Sequence, residues 1–274
     1  MSKRILITGA NRGVGLALVH LLAKTAGHVY AGCRQPKSAE ALQQLARSSD
    51  NVSVIGLDVT DAESLKQASA AVMGGIDLLV CNAGVLNGYG GLQGSENELT
   101  SEAMATFAGV LSTNIAGPFF TVQAFLPHLR LSGSAGVAII SSHMGSQQHD
   151  AANAYAYRSS KAGVNNIMVT LSHELAQEKI AVAAYHPGWV RTDMGGASAH
   201  LSVEQSAEAL AQRFAELDMA LNGQFINYDG SALELSSGRV VATNAALQGP
   251  LLQGLSECQP LPPATYNAEI PAGP

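Results

Sequence analysis

Short apolar runs alternate with helix-forming segments along most of the chain, and this alternation restricts the fold more than any other feature. Seven apolar runs predict strands, at residues 5–8, 28–33, 52–57, 76–81, 136–141, 180–185 and 224–228. Strands that are separated by helices form βαβ units with right-handed crossovers and parallel pairing. A uniformly apolar run such as 137–140 fits a strand that is buried on both faces of a sheet. We therefore predict one α/β domain with a doubly wound, parallel, seven-stranded sheet and helices on both faces.

Apolar residues at helical spacing occupy the segments between these runs. They predict helices at residues 14–24, 39–47, 61–72, 100–131, 154–177 and 203–217. Ser38 is a candidate N-cap, and a break is expected at Gly117-Pro118, because proline lacks the N–H that a helix needs. Six of the ten prolines lie from Pro250 onward. We therefore predict a domain over 1–239 and a C-terminal extension, Pro-rich at its end, over 240–274. The extension either forms a short helix over the substrate site or a partner subunit, or it is a loosely attached terminus.

Composition argues against several classes of function. Of the 274 residues, 47% are hydrophobic and 13% are charged, and the net charge is −6, which does not suit a nucleic-acid-binding surface. We expect no membrane span and no signal peptide, because no uninterrupted apolar run is long enough and the first strand begins at once. The three cysteines are scattered, and the eight histidines do not cluster at ligand spacing. We therefore expect free thiols, a cytoplasmic location and no metal site.

A glycine-rich loop lies between the first predicted strand and the first predicted helix. Its spacing, Gly-x-x-x-Gly-x-Gly, permits a tight turn, and the helix that follows presents free N–H groups to a pyrophosphate. This context predicts a Rossmann-type dinucleotide site. The residues assigned to cofactor contacts are Gly9, Asn11, Arg12, Gly13, Val14 and Gly15. The alternative is a glycine-rich turn that binds nothing.

The end of the second strand indicates which dinucleotide binds. NAD-selective proteins usually carry an acid here, whereas this chain has Cys33 followed by Arg34. Arg34 and Arg12 could bind a 2′-phosphate, and no acid would repel it. The residues therefore favour NADP(H) over NAD(H), unless both arginines are simply solvated. Asp58, which precedes Val59 after the third strand, either accepts a hydrogen bond from adenine or caps the next turn.

Tyr157 and Lys161 are spaced to lie on one face of a helix. Carbonyl reduction needs a hydride, which a nicotinamide gives, and a proton from an acid within hydrogen-bond reach. An ammonium about 4 Å from a phenol, at an effective dielectric of about 20, is worth roughly 4 kcal/mol and lowers the tyrosine pKa by about three. The pair therefore predicts a tyrosine acid. The alternative is that Tyr157 is a core residue in a stripe with Val164 and Met168.

Taken together, these patterns resemble the short-chain dehydrogenase/reductase family over about residues 3–230. Finer features resemble its carbonyl-reductase-like branch, which includes C-factor and sniffer-type proteins. The motifs that carry the resemblance are Thr8-Gly9-x-x-x-Gly13-x-Gly15, Asp58-Val59, Asn82-Ala83-Gly84, Asn114, Ser141-Ser142-x-x-Gly145, Tyr157-x-x-x-Lys161, Pro187-Gly188 and the runs 186–196 and 225–230.

The resemblance implies a role for each matching residue. In the catalytic set, Tyr157 would donate the proton, Ser142 would bind the substrate oxygen and Lys161 would also bind the nicotinamide ribose. Asn114 would anchor a water molecule that links Lys161 to solvent. The remaining cofactor contacts are implied at Asp58, Val59, Asn82, Ala83, Gly84, Pro187, Gly188, Val190 and Thr192, beside Tyr157 and Lys161.

The implied function is NADPH-dependent reduction of an aldehyde or ketone, reversible with the alcohol. The alternative is an NADP(H)-binding, C-factor-like signalling or regulatory protein with little turnover. Family members commonly pair through the helices predicted here at 100–131 and 154–177, so a homodimer or homotetramer is expected, although related carbonyl reductases can be monomeric. The substrate and the direction of reaction stay open, because the loops at 86–97, 143–153 and 192–202 set the substrate pocket and the same residues serve both directions.

Overall fold

Seven parallel strands form one sheet in the order β3-β2-β1-β4-β5-β6-β7. The computed structural model describes residues 3–148 and 151–235. The strands are β1 Arg4–Thr8, β2 His28–Cys33, β3 Val52–Gly56, β4 Leu78–Cys81, β5 Gly136–Ile140, β6 Ala181–His186 and β7 Phe225–Asn227. The predicted doubly wound fold is confirmed. The predicted C-terminal extension, with its possible helix, lies outside the described residues.

Helices cover both faces of the sheet. They are α1 Gly13–Leu22, α2 Glu40–Arg47, α3 Ala62–Ala71, α4 Ser101–Leu111, α5 Gly117–Ser132, α6 Tyr155–Leu175 and α7 Val203–Glu216. Side chains alternate along a strand, so β1 sends Leu6 into the core layer beneath α3, α5 and α6 and sends Ile5 and Ile7 into the layer beneath α1, α2 and α7. The hydrophobic core therefore lies in two layers, one on each face of the sheet.

The helix and strand ends agree with the predicted ones to within two residues, but one predicted cap is wrong. Ser38 lies in a 3-10 turn, Pro36–Ser38, and Ala39 occupies the N-cap of α2 without a side-chain bond. Proline fixes its own φ and favours such a turn, so the helix begins later than the serine suggests. Asp61 is a true N-cap, because its carboxylate accepts the N–H groups of Glu63 and Ser64 at 2.8 and 3.1 Å.

The predicted break at Gly117-Pro118 is a π-helical turn, Ser112–Ala116, rather than an end of the helix. It joins α4 and α5 into one helix, Ser101–Ser132, of 32 residues. This helix has the length and the mean hydropathy, 1.2, of a membrane span, which the sequence analysis did not expect. Core helices have the same composition, and Phe125 and Leu129 are buried in the core layer below. Length and composition alone therefore do not indicate a membrane here.

β1 and β4 are neighbours in the sheet, and hydrogen bonds from Thr8 and Asn82 join the ends of these two strands. Thr8 Oγ1 accepts the backbone N–H groups of Asn82 and Ala83 at 3.0 Å each. Asn82 Nδ2 donates to the carbonyls of Thr8 and Gly9, at 2.9 and 3.1 Å. The order of the sheet reverses at this point, which is where open α/β sheets bind their ligands. The glycine loop is therefore held at the carboxyl ends of the two central strands.

We predict that Gly15→Ala destabilises the protein. A Cβ at Gly15 would lie 2.3 Å from the carbonyl oxygen of Gly9, where no side chain can give way. Overpacking of this kind costs about 1–3 kcal/mol, which chemical denaturation would measure. Gly109→Ala in α4 is the matched control, because a Cβ there meets nothing within 4 Å. In an open helical position the same change should stabilise by about 0.5–1 kcal/mol. Equal stabilities of the two variants would contradict the close packing of the loop.

Candidate active site

Helix α6 brings Tyr157 and Lys161 together. Both side chains are buried, with exposed fractions of 8% and 5%. Lys161 Nζ lies 5.5 Å from the centroid of the Tyr157 ring, as the four-residue spacing on one helix face predicts. Tyr157 also makes a side-chain hydrogen bond with Ser142, which follows β5. Three of the four predicted catalytic side chains, those of Ser142, Tyr157 and Lys161, therefore meet at the carboxyl edge of the sheet.

The turn after β5 sets the position of Ser142. Its hydroxyl accepts the N–H of Met144 at 3.2 Å and so caps the 3-10 turn His143–Gly145. A Cβ at Gly145 would lie 2.7 Å from the carbonyl carbon of Lys161, so only glycine lets this turn pack against α6. Ser141 points elsewhere and bonds the Lys161 carbonyl at 3.4 Å. The choice of Ser142 over Ser141 therefore agrees with the geometry.

The pKa of Tyr157 departs from the expected direction. Burial raises the pKa of the phenol, and the hydrogen bond with Ser142 opposes this only in part. The expectation that Lys161 lowers the tyrosine pKa is therefore wrong for the protein without a cofactor. The reason is that both groups are desolvated. Burial lowers the pKa of Lys161 to about 8, and its Nζ donates to the Ile140 carbonyl at 2.9 Å.

Asn114 lies at the centre of the π-helical turn and is fully buried. Its Oδ1 accepts the N–H of Val85 at 2.9 Å, and its Nδ2 donates to the carbonyl of Val85 and to Ser160 Oγ, each at 2.9 Å. A Cβ at Gly84 would lie 3.4 Å from Asn114 Oδ1 and 3.7 Å from Lys161 Nζ. Asn114 and Lys161 thus both border Gly84, in the segment after β4. Single π-helical turns occur often at functional sites.

The glycine loop fits a dinucleotide phosphate. Gly9 and Gly13 have φ of +64° and +53°, which other residues rarely adopt. Arg12 is the N-cap of α1 and makes no side-chain capping bond. Within the described chain, the N–H groups of the first turn are therefore left for a ligand, and the helix dipole favours an anion there. Asn82, which packs beneath Gly15, keeps this helix end against the sheet.

The two arginines that were assigned to a 2′-phosphate differ in their surroundings. Arg34 follows β2, is exposed and forms no ion pair with any described residue. The hydrogen bond from Ala10 N–H to the Gly32 carbonyl, at 2.9 Å, holds this end of β2 beside the glycine loop. Arg12 instead forms an ion pair with Asp193, at 2.5 Å, and both side chains are largely exposed. A 2′-phosphate at Arg12 would have to share the guanidinium with Asp193.

Asp58 was left between two assignments, and the structure favours the turn. Its Oδ1 accepts the N–H of Thr60 at 2.9 Å and the hydroxyl of Thr60 at 2.7 Å. Val59 is buried and packs against the π-helical turn, because a Cβ at Gly117 would lie 2.8 Å from its Cγ2. Val59 therefore supports the turn that carries Asn114 rather than lying free at the surface of the site.

The segment after β6 folds back over the glycine loop. Gly188 has φ of +84°, and Ser206 at the start of α7 donates to the Pro187 carbonyl at 2.6 Å. Val190 pairs with Leu201 and closes the segment on itself. A Cβ at Gly13 would lie 3.4 Å from Thr192 Cγ2. Of the predicted contacts after β6, the structure therefore brings Thr192 to the glycine loop.

Sequence reasoning gave no individual role to Ser160 and His186, and it placed Asp193 and His143 only within loops that set the substrate pocket. Asp193 and Ser160 stand within motifs that carried the family resemblance, yet their partners, Arg12 and Asn114, are 181 and 46 residues away. The rings of His143 and His186 stack with centroids 5.5 Å apart at the edge of the site next to Ser142. Only the neighbouring motif residues hinted at such positions, because pairing across the fold leaves no local pattern.

Comparison with known proteins agrees with the geometry. A family model for short chain dehydrogenase matches residues 3–202. An uncharacterized oxidoreductase of Schizosaccharomyces pombe is 31% identical over 254 residues, which cover 85% of this chain and 98% of that protein. C-signal of Myxococcus xanthus is 34% identical over 165 residues, or 60% of this chain and 95% of that protein.

Two solved structures cover most of the chain. NADPH-bound carbonyl reductase from chicken fatty liver is 34% identical, with a TM-score of 0.77, over 85% of this chain and 98% of that one. Carbonyl reductase Sniffer of Drosophila melanogaster is 32% identical, with a TM-score of 0.78, over 85% and 99%. With the family model matching well over half of its length, the chain belongs to the short-chain dehydrogenase family.

Proposed function

We propose that the protein is an NADPH-dependent reductase that transfers a hydride to the carbonyl of an aldehyde or ketone, reversibly with the alcohol. The observation that carries the proposal is the buried group of Tyr157, Ser142 and Lys161 beside an uncapped helix N-terminus. Structures similar to this chain include an NADPH-bound carbonyl reductase, which supports both the cofactor and the class of substrate.

Each residue of the site would have its own role in carbonyl reduction. A bound nicotinamide would supply the hydride. Tyr157 holds the proton that the carbonyl oxygen needs, and its raised pKa keeps it protonated at neutral pH. Ser142 hydrogen-bonds the phenol and can donate to charge that develops on the substrate oxygen. Lys161 supplies a positive charge near the phenol. This charge stabilises the phenolate of Tyr157 that remains after the proton has been transferred.

The cofactor would lie along the switch point between β1 and β4. The first turn of α1 would hold the pyrophosphate, and Arg34 would bind the 2′-phosphate as a planar charged fork. Tyr157 and Lys161 would meet the nicotinamide end, with Thr192 on the segment that covers the glycine loop. Arg12 would contribute to the 2′-phosphate site only together with Asp193.

A second candidate function rests on the similarity to C-signal. In this alternative the protein binds NADP(H), acts in signalling or regulation and has little turnover. The complete set of Asn114, Ser142, Tyr157 and Lys161 favours the enzyme, because a protein that only binds a ligand has no use for a proton donor. Spectroscopic assay of NADPH consumption with aldehydes, ketones, diketones and quinones would separate the two functions.

We further propose a homodimer or homotetramer in the cytoplasm. The apolar side chains of Met104 and Phe107 on α4 and of Tyr155 on α6 are exposed, and α4 and α6 are adjacent, so a second subunit could cover them. The free cysteines Cys33 and Cys81 suit a reducing compartment. Light scattering at several concentrations and cell fractionation would test these two points, and a mass near 28 kDa throughout would reject the oligomer.

We predict that NADPH binds about ten- to a hundredfold more tightly than NADH, since a charge-assisted bond is worth about 1.5–3 kcal/mol. Arg34→Asp should reverse the preference, because the new carboxylate repels the 2′-phosphate and accepts from a ribose hydroxyl. Fluorescence titration would give both dissociation constants. Arg47→Asp at the exposed end of α2 changes the net charge equally and should leave the preference intact. Equal affinities in the unaltered protein would refute the assignment.

We predict that Tyr157→Phe lowers the rate of carbonyl reduction by at least about a hundredfold, because general acid catalysis contributes roughly that much. The affinity for NADPH should stay nearly the same, since the phenol oxygen is not its main anchor. Tyr155→Phe is the matched control, because Tyr155 is exposed and two residues away. If both variants kept most of their activity, another group would have to supply the proton.

We predict that Lys161→Met stabilises the cofactor-free protein at neutral pH. A pKa of about 8 in the folded state, against 10.5 in the unfolded chain, corresponds to a cost of up to about 3 kcal/mol for burying the ammonium. The cost is full below pH 8 and disappears as the pH rises towards 10.5, because the unfolded chain alone still binds the proton in that interval.

Chemical denaturation from pH 6 to 10.5 would follow the difference between Lys161→Met and the unaltered protein. We expect the advantage of the variant to shrink over the upper part of this range. Lys66→Met on α3 is the control, because Lys66 is exposed and should show no such trend. A variant that is less stable than the unaltered protein at pH 7 would show that the buried charge is well compensated.

A further inference from the structure

The ion pair of Arg12 and Asp193 joins the glycine loop to the segment after β6. Arg12 Nη1 lies 2.5 Å from Asp193 Oδ2, although the two residues are 181 positions apart in the chain. Among the described residues, Asp193 is the one acid that forms an ion pair with Arg12. Arg12 is also assigned to the 2′-phosphate of the cofactor. The same guanidinium therefore has two possible anionic partners, one in the protein and one in the ligand.

The carboxylate of Asp193 is held in position by contacts that do not involve Arg12. Asp193 lies in a turn in which Thr192 Oγ1 accepts the N–H of Gly195 at 3.1 Å. The turn rests on the glycine loop, because a Cβ at Gly13 would lie 3.4 Å from Thr192 Cγ2. The side chains of Arg12 and Asp193 are 63% and 81% exposed. The carboxylate is therefore directed at Arg12 by the fold, although solvent can reach both groups.

The rest of the segment after β6 is closed by its own hydrogen bonds. Arg191 Nη1 donates to the carbonyls of Ala199 and His200, at 3.0 and 3.1 Å. The N–H of Arg191 donates to the carbonyl of Leu201 at 2.9 Å. None of these bonds uses the charge of Asp193. A neutral side chain at this position would therefore remove the ion pair and leave the segment folded.

A 2′-phosphate and the carboxylate of Asp193 would compete for Arg12. A phosphate monoester carries about −1.5 to −2 charges at pH 7, whereas a carboxylate carries a single one, and phosphate binds a guanidinium as a fork. The phosphate is therefore the stronger partner, but it binds at the cost of the existing ion pair. NADH has no 2′-phosphate and leaves the pair in place. The penalty thus applies only to cofactors that carry this phosphate.

We propose that Asp193 is a specificity-determining residue that acts against the 2′-phosphate: by occupying Arg12 in the cofactor-free protein, it lowers the affinity for NADP(H) and leaves the affinity for NAD(H) unchanged. Arg34, which forms no ion pair with any described residue, then provides most of the preference for NADP(H). A weaker hold on the cofactor speeds its release, a step that limits turnover in many enzymes. The inference rests on the proposed function only through the 2′-phosphate site.

The test is Asp193→Asn, with binding measured by titration calorimetry. We expect the dissociation constants of NADPH and of adenosine 2′,5′-bisphosphate to fall about two- to fivefold, which is the size of an exposed ion pair. Those of NADH and of adenosine 5′-phosphate should stay the same, because these ligands do not displace Asp193. In an Arg12→Gln background the change at Asp193 should have no effect on any of the four ligands.

Asp50→Asn is the matched control. Asp50 is exposed just before β3, at the opposite edge of the sheet, so this variant changes the net charge equally and should leave all four constants unaltered. Adenosine 2′,5′-bisphosphate and adenosine 5′-phosphate differ only in the 2′-phosphate, so their comparison isolates the contribution of that group. Neither ligand has a nicotinamide, and the comparison is therefore independent of the catalytic residues.

Equal gains in affinity for all four ligands would overturn the inference, because Asp193 would then act on the dinucleotide as a whole. A general loss of affinity would overturn it in favour of a structural role, and so would an effect that persists without Arg12. Unchanged constants would show that the pair does not influence binding. A protein that prefers NADPH but reduces no carbonyl would refute the proposed reductase alone. Equal affinity for NADPH and NADH would refute the 2′-phosphate site and this inference with it.

Discussion

The hydrogen bonds between Thr8 and Asn82 are the interaction on which the rest of the site depends. They join the carboxyl ends of β1 and β4 where the order of the sheet reverses. Asn82 also contacts the carbonyl of Gly9, so the same side chain holds the glycine loop. Because α1 begins directly above this point and packs on it through Gly15, the helix N-terminus has a fixed position at the sheet edge. These bonds therefore give the loop and the helix end a common support.

Burial determines the acid–base properties of Tyr157 and Lys161. Tyr157 and Lys161 are both removed from water, and each is therefore biased towards its neutral form, the phenol and the amine. A buried phenol is a weaker acid than an exposed one. The proposed reaction therefore requires Ser142 and a protonated Lys161 to stabilise the phenolate that forms when the proton leaves. The cost of keeping Lys161 in the interior is then part of its function, because an exposed ammonium would be screened and would influence the phenol little.

Two backbone turns also support the site: the π-helical turn that carries Asn114 and the 3-10 turn after Ser142. The π-helical turn places Asn114 in the interior, and Val59 fills the space that Gly117 leaves. The turn after Ser142 packs on the backbone of α6 through Gly145. In both places the absence of a side chain makes room, at Gly117 for the Val59 side chain and at Gly145 for the backbone of α6. The reactive side chains thus rest on rigid elements, which favours precise positions over mobility.

Sequence by itself determined the strand and helix rhythm, the parallel sheet and the spacing that sets Tyr157 and Lys161 on one face of α6, because these follow from local periodicity and chain connection. It also indicated the glycine loop, because the positive φ at Gly9 and Gly13 favours glycine. Tertiary structure decided the rest. The pairing of Arg12 with Asp193, the turn role of Asp58 and the bonds of Asn114 to Val85 and Ser160 join residues that no local pattern connects. The raised pKa of Tyr157 belongs to the same class, since desolvation depends on every segment that packs around the phenol.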